Sequence, residues 1–292
     1  MEKYNILFPK IKNTLQVFIT NKCNKKCRKC FVANKTRHVD MNLSQYRNTL
    51  DQFNGYEKII LIGGEPLLCS NFDDILSENI QRGINTTVYT NGSSNLLSNN
   101  KIELLKNDLV DLRVGTLGYS GMEKTIDVNF LEIFGKRITV VHMLRPNNIE
   151  QLNDVAHISF NSGCRNLYLS SIVDMEAYKD FWTNSEDELS HREYSHVVRS
   201  FLSGFNLDMN IHVALRGIHP LYFFKHLANI PEKWGGENCN ICRIISVFND
   251  QSTIQCPLDI SLRDTESVSF GKRNCKRHEW CVLQKAILKR GE

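Results

Sequence analysis

Cys23, Cys27 and Cys30 are the residues whose type and spacing most directly imply chemistry. They form C-x3-C-x2-C within eight residues. Three thiolates this close together can each hold one iron of a single cubane, leaving a fourth iron with no protein ligand. Such an iron can bind a cofactor, as an open zinc position binds water. Taken alone, the spacing also suits zinc. Lys22, Lys25, Lys26, Arg28 and Lys29 interleave with the cysteines. Their charge could offset that of the thiolates and of a carboxylate ligand.

A second feature is Gly63-Gly64-Glu65-Pro66, which follows the apolar run Lys58–Ile62. Paired glycines at a strand end let backbone approach a ligand closely. Glu65 adds a carboxylate, and Pro66 stiffens the turn and starts the next helical region. Thr90-Asn91-Gly92 and Val114-Gly115-Thr116-Leu117-Gly118 each lie at the end of a further apolar run, and Arg145 follows another. Five of the ten cysteines, Cys239, Cys242, Cys256, Cys275 and Cys281, crowd the C-terminal part. So many thiols in a short stretch point to metal rather than to scattered core residues. Cys69 and Cys164 lie alone near helical segments and read as structural.

The elements that must position these groups alternate. Strands are expected at Thr14–Thr20, Lys58–Ile62, Thr86–Thr90, Leu112–Leu117, Arg137–Leu144 and Asn166–Ile172, from their β-branched and apolar content. Between them, apolar stripes predict helices on Leu43, Tyr46, Leu50 and Phe53, with Asn42 as cap. The next stripe is Phe72, Ile75, Leu76 and Ile80, capped by Asn71. Others run through Ile102, Leu105 and Leu109, and through Ile149, Leu152, Ala156 and Phe160. The segment after Leu117 has no clear pattern. Glu186–Phe201 reads as a helix and Met209–Leu215 as a last strand. Strands separated by helices form parallel βαβ units. Six units predict an α/β fold, a partial (β/α)6 TIM-like barrel with its functional groups in loops after the strands' C-terminal ends. A boundary is expected within 204–235. It divides a barrel domain, 1–205, from a small cysteine-rich domain, 206–292, organised by metal rather than by a large core.

C-x3-C-x2-C after the first strand, Gly63–Pro66 after the second and Thr90-Asn91-Gly92 after the third together resemble the radical S-adenosylmethionine (SAM) superfamily, over about residues 14–172. That resemblance implies a [4Fe–4S] cluster on Cys23, Cys27 and Cys30, whose open iron chelates the methionine part of SAM. It implies that Gly63, Gly64, Glu65 and Pro66 line the methionine amino group, and that Asn91, Thr116 and Arg145 contact SAM. It also implies reductive cleavage of SAM to a 5′-deoxyadenosyl radical that abstracts hydrogen from substrate, fed by a low-potential donor such as flavodoxin or ferredoxin. Many members carry an aromatic residue before the third cysteine, where this chain has Lys29. Phe31 is the nearest substitute for an adenine contact.

The C-terminal segment resembles the Twitch half of the SPASM domain. It has a cysteine, a short strand at Ile244–Phe248, a turn, and a second strand running to Cys256. Gln251 stands where that family usually has glycine. The resemblance implies an auxiliary [4Fe–4S] cluster on Cys239, Cys256, Cys275 and Cys281, for electron transfer or substrate binding. Cys242 is the spare thiol, able to replace a ligand, to donate a hydrogen atom or to stay inert. The Cys239-Cys242-Cys256 spacing is also similar to that of the GTP 3′,8-cyclase of molybdenum-cofactor synthesis. This chain, however, ends in Lys289-Arg290-Gly291-Glu292, without that enzyme's double-glycine tail.

Composition sets the outer limits. The chain of 292 residues is 41% hydrophobic and 23% charged, which suits a folded domain with a sizeable core. A net charge of +4, spread along the chain, does not argue for nucleic-acid binding. No apolar run reaches the roughly 18 residues of a membrane span, and no signal peptide is evident, so a cytoplasmic enzyme is expected. The substrate class is a peptide, as in peptide natural-product maturation, or a small polar metabolite. The first strand starts by residue 14, so no leader-recognition domain is expected before it. The competing reading is an inactive zinc- or iron–sulfur-binding interaction module on a degenerate barrel.

Overall fold

The computed structural model describes residues 13–25, 39–116, 126–144, 146–171, 191–213, 244–247 and 253–254. Within them the chain alternates β1 (Thr14–Thr20), α1 (Leu43–Gln52), β2 (Lys58–Gly63), α2 (Phe72–Gln81), β3 (Thr86–Thr90), α3 (Asn99–Leu105) and β4 (Val110–Gly115). It continues through α4 (Val128–Phe134), β5 (Ile138–Leu144), α5 (Leu152–Asn161), β6 (Asn166–Ser171), α6 (His191–Gly204) and β7 (Asn210–Val213). The last described elements are β8 (Ile244–Val247) and β9 (Thr253–Ile254). Strands β1 to β7 lie side by side in chain order and every neighbouring pair is parallel. The sheet stays open, with β7 at one edge and β9 at the other. It is the expected α/β partial barrel, with β7 at the place of the expected last strand extending the six parallel strands to seven.

Burial alternates along the strands. Ile59 and Leu61 of β2, Leu112 and Val114 of β4, Ile138 and Val140 of β5, and Leu167 and Leu169 of β6 are buried on one face. They share a core with Tyr46 and Leu50 of α1, Phe72, Ile75 and Leu76 of α2, and Phe130, Leu131 and Phe134 of α4. Side chains at the intervening positions, among them Gln16, Ile60, Tyr89, Arg113, Val141, Tyr168 and His212, are half-buried and face the inside of the curved sheet. A polar chain crosses the core: the Tyr46 hydroxyl donates to Asn79 Oδ1 at 2.7 Å, and Asn79 Nδ2 donates to Thr86 Oγ1 at 3.1 Å. It ties α1 to α2 and α2 to β3.

Some local expectations change. Asn42 caps α1 in a full capping box with Gln45. Asn71 precedes α2 but makes no side-chain cap; its Nδ2 donates to Met41 O at 3.2 Å and to Ser70 Oγ at 3.3 Å. Helix α3 ends at Leu105, short of Leu109. Asn107 Oδ1 accepts the Leu109 N–H at 3.0 Å, a side-chain turn that stops the helix before β4. Strand β4 therefore starts at Val110, not Leu112. The segment without clear pattern contains α4, capped by Asp127, whose Oδ1 accepts from Phe130 N at 3.1 Å. Positions 117, 172, 186–190, 214, 215 and 248 of the expected elements lie outside the described residues. Strand β7 pairs parallel with β6, and β8 pairs parallel with β1. The chain on either side of the expected boundary thus contributes a strand to the same sheet. Strand β9 is antiparallel to β8, as the expected hairpin requires.

Replacing Tyr46 by Phe leaves Asn79 Oδ1 in the core without its hydroxyl donor. It is expected to lower unfolding stability by about 1–3 kcal/mol at unchanged urea m-value. An unchanged urea midpoint would show that the hydroxyl contributes nothing.

Candidate functional site

The site collects at the rim formed by the C-terminal ends of β1 to β5. Strand β1 ends at Thr20, which sits level with Gly63 of β2. The chain then passes through Asn21 and Lys22 to Cys23. The Cys23 thiol is half-buried and accepts the Lys25 N–H at 3.4 Å. Cys27 and Cys30 lie outside the described residues, as do Arg145 and all five C-terminal cysteines. Among the described residues no three metal-ligating side chains converge.

The two glycines after β2 serve this chain's own backbone. Gly63 has φ +153°, and a Cβ on it would fall 2.2 Å from Thr20 O. A Cβ on Gly64 would fall 2.1 Å from Lys22 O. Hydrogen bonds fill that space instead: Gly64 N donates to Thr20 O at 2.8 Å, and Glu65 N to Lys22 O at 2.7 Å. The pair thus closely approaches the segment that presents Cys23.

Glu65 is fully buried. Its Oε1 accepts from Thr90 Oγ1 at 2.7 Å and from Leu67 N at 3.1 Å, and its Oε2 accepts from Asn91 N at 2.7 Å. Burial pushes its carboxyl above the usual carboxylate range. The Asn91, Thr90 and Leu67 donors and the nearby Lys25 charge act against that rise. The carboxylate binds the end of β2 to the end of β3. Pro66 is the first residue of a short 3₁₀ turn, Pro66–Leu68.

Asn91 reaches the cysteine loop from the other side. Its Nδ2 donates to Asn24 Oδ1 at 2.7 Å, and its carbonyl accepts from Lys25 Nζ at 3.3 Å. Ser93 Oγ donates to Asn91 Oδ1 at 2.6 Å. Gly92 has φ +68°, and a Cβ there would lie 2.6 Å from Val114 Cγ1. Thr116, at the end of β4, is buried with its hydroxyl 2.8 Å from His142 Nδ1. That hydroxyl therefore already engages a side chain of β5.

Asp40 is the residue that sequence reasoning missed. It is the only acid between Lys22 and Arg47, a stretch otherwise rich in Lys and Arg, and that was the available signal. Its Oδ1 accepts from Thr20 Oγ1 at 2.6 Å. Its Oδ2 accepts from Lys22 Nζ at 2.6 Å, and from Ser70 N and Oγ at 3.0 and 2.8 Å. Lys22, expected among the cations offsetting cluster charge, is thus paired with a carboxylate. Val39 N donates to Asn21 Oδ1 at 2.7 Å and Met41 N to Ile19 O at 2.7 Å. The chain therefore leaves β1 for the cysteine loop and returns beside the same strand end, with Asp40 fastening both limbs. Partial burial acts to raise the Asp40 carboxyl, but the Lys22, Thr20 and Ser70 donors outweigh it and hold the pKa at about 2. Cys69 and Cys164 are buried, which pushes their thiols up to about 11 and about 12, as befits unreactive core residues.

Residues 17–145 match the family model described as the Radical SAM superfamily. A curated protein of Selenomonas ruminantium, an S-adenosylmethionine-dependent nucleotide dehydratase, is 33% identical over 82 residues. That alignment takes in 27% of this chain and only 30% of the relative. Streptococcus suis SuiB bound to S-adenosylmethionine superposes with a TM-score of 0.70 at 17% identity, covering 98% of this chain and 69% of that one. SuiB bound to its precursor peptide SuiA gives 0.68 at 17% identity, covering 98% and 68%. Native anSMEcpe with bound AdoMet gives 0.56 at 17% identity, covering 85% and 75%. At these identities the solved structures establish a shared fold.

Two outcomes follow from this geometry. In Gly64→Ala the added Cβ must displace the Lys22 carbonyl, so the Gly64 and Glu65 amides should exchange hydrogen at least about tenfold faster. Wild-type protection in that variant would contradict the packing described. The Asp40 pKa is lowered by folding, from 3.8 to about 2. Its contribution to stability is therefore fully present above about pH 4 and is lost as pH falls towards 2. Urea titrations of wild type and Asp40→Asn should show a stability gap at neutral pH that narrows below pH 4. A gap independent of pH would overturn this assignment.

Proposed function

We propose that this chain is a radical SAM enzyme whose SAM-binding [4Fe–4S] cluster is held by Cys23, Cys27 and Cys30. The observation that carries the reading is the convergence of Cys23, Gly63–Pro66 and Asn91 at one rim, within the residues that match the family model. Cys23 suits such a group: its thiol is half-exposed at the mouth of the barrel, and a soft thiolate is the donor iron–sulfur clusters take. Cys27 and Cys30 are assigned by the motif. When bound, the cluster supplies the electron that cleaves SAM to a 5′-deoxyadenosyl radical able to take hydrogen from substrate.

The chain's own residues supply position. Gly63 and Gly64 hold the Thr20–Lys22 backbone that presents Cys23. Glu65 aligns the Gly63–Pro66 turn with Asn91, and this pair faces the methionine part of SAM in our reading. Thr116, supported by His142, and Arg145 complete the SAM-facing set. Residues 206–292 form a Twitch/SPASM-like auxiliary domain after a barrel of residues 1–205, and its strands β7 and β8 extend the barrel's sheet. Cys239, Cys256, Cys275 and Cys281 ligate a second [4Fe–4S] cluster, and Cys242 replaces one of these ligands, donates a hydrogen atom or stays inert. The substrate is a peptide undergoing maturation or a small polar metabolite, and the electron donor is a flavodoxin or ferredoxin in the cytoplasm. SuiB with its precursor peptide supports a peptide substrate, and the nucleotide dehydratase supports a small metabolite. No helix among the described residues is long and apolar enough to cross a membrane.

Anaerobic reconstitution tests this. Wild type is expected to hold about eight irons per chain as two cubanes and to release 5′-deoxyadenosine from SAM with dithionite. A variant with Cys23, Cys27 and Cys30 changed to Ala should keep about four irons and release none. A colourless wild-type protein carrying zinc would overturn the assignment.

A further inference from the structure

The inside of the curved sheet carries a cation that the rim does not use. Arg113 of β4 is half-buried on the concave face. Its guanidinium carbon lies 5.2 Å from the ring centroids of both Tyr89, on β3, and Tyr168, on β6. Its Nη1 donates to the Tyr89 hydroxyl. Among the described residues no carboxylate pairs with it. The acid two positions before it, Asp111, is taken by Lys58 Nζ at 3.0 Å and is largely exposed. A guanidinium carries five N–H donors in a rigid fork, and Tyr89 occupies one. Aromatic faces on two sides hold the fork without neutralising it.

Space adjoins it. Gly115 shares the face of Arg113, two residues nearer the rim, and a Cβ built on Gly115 meets no heavy atom within 4 Å. In sheet register Gly115 lies level with Val141, Val141 with Tyr168, and Tyr168 with His212. The open position therefore lies at the end of β4, on the same layer as Val141, Tyr168 and His212.

We propose that Arg113, with Tyr89, Tyr168 and His212, forms a binding site inside the barrel for an oxyanion, a phosphate or carboxylate group of the substrate. The fork offers two parallel N–H donors to such a group, the geometry in which arginine binds planar or tetrahedral oxyanions. Tyr168 and His212 stand 6.4 Å apart between ring centroids on that layer, with His212 Nε2 3.4 Å from Asn166 Oδ1. Burial first, and then the Arg113 charge, lowers the His212 pKa, so the imidazole is neutral at neutral pH and adds no second cation. The site lies below the strand ends that carry Cys23 and Gly63–Pro66. An anchored oxyanion there would leave the rest of the substrate pointing towards the rim. The inference rests on the proposed reading of that rim as the reaction site, and it narrows the substrate to one bearing an anionic group.

The test is calorimetric titration of the reconstituted full-length protein, at fixed ionic strength, with sodium phosphate, pyrophosphate and acetate. At least one should bind saturably to wild type, and the tighter class identifies the substrate group as phosphate or carboxylate. Arg113→Lys should weaken that binding about tenfold, and Arg113→Gln should abolish it. Gly115→Val should weaken it as well, by filling the open position without meeting a neighbour. If Arg113→Gln does not fold by circular dichroism, the Arg113→Lys and Gly115→Val titrations decide. No saturable binding of any of the three anions to wild type overturns the inference, as does undiminished binding in the variants. Release of 5′-deoxyadenosine without oxyanion binding defeats this inference alone. Oxyanion binding without SAM cleavage defeats the functional reading alone.

Discussion

Two backbone carbonyls, those of Thr20 and Lys22, govern the arrangement of the rim. They point at positions where any side chain on residue 63 or 64 would collide, and the chain meets them with two glycines. The amides of Gly64 and Glu65 then bond the same two oxygens. A loop that must present a thiol at a fixed place needs its backbone polar groups satisfied, and here β2's exit satisfies those of β1's exit. Adjacent parallel strands make this possible, since Thr20 and Gly63 stand level across the sheet.

Two carboxylates extend this constraint in different dielectric settings. Glu65 lies wholly inside and binds the turn after β2 to the start of the loop after β3. Asp40 lies nearer solvent and joins the outgoing and returning limbs of the cysteine loop to Ser70. Burial dominates the first and raises its pKa; donors dominate the second and lower its pKa. The positive charge near the cysteines is partly internal, as the Lys22–Asp40 pair shows, while the cation deeper in the barrel meets aromatic rings.

Division of labour between the sheet's two faces explains why one fold supports this site. The outer face is aliphatic and packs on the helices, and that side sets stability. The inner face mixes polar, aromatic and aliphatic side chains, many of them half-buried. The strand ends between them carry Cys23, Gly63–Pro66 and Asn91. SuiB and anSMEcpe share this architecture at 17% identity, which locates the likeness in the layout of strands and crossovers rather than in individual side chains.

Much of this was legible in the amino-acid sequence. Strand periodicity marked β1, β3 and β6 to within a residue, because a strand buried by crossover helices must be β-branched and apolar. Cys23, Gly63–Pro66 and Asn91 were legible because each follows such a strand, and strand ends are where a parallel sheet gathers its loops. What the sequence did not contain was pairing. Asp40, seventeen residues beyond Cys23, meets Thr20 and Lys22 only because the chain returns to β1. That Gly63 and Gly64 also back onto the Thr20 and Lys22 carbonyls is visible only in the folded sheet. Arg113 is one basic residue in a strand, and only the register of β3 to β7 brings Tyr89, Tyr168 and His212 around it. Local pattern determines elements because periodicity is a property of neighbours along the chain. Hydrogen-bond partners and enclosed charges belong to residues far apart in sequence, so only the folded sheet decides them.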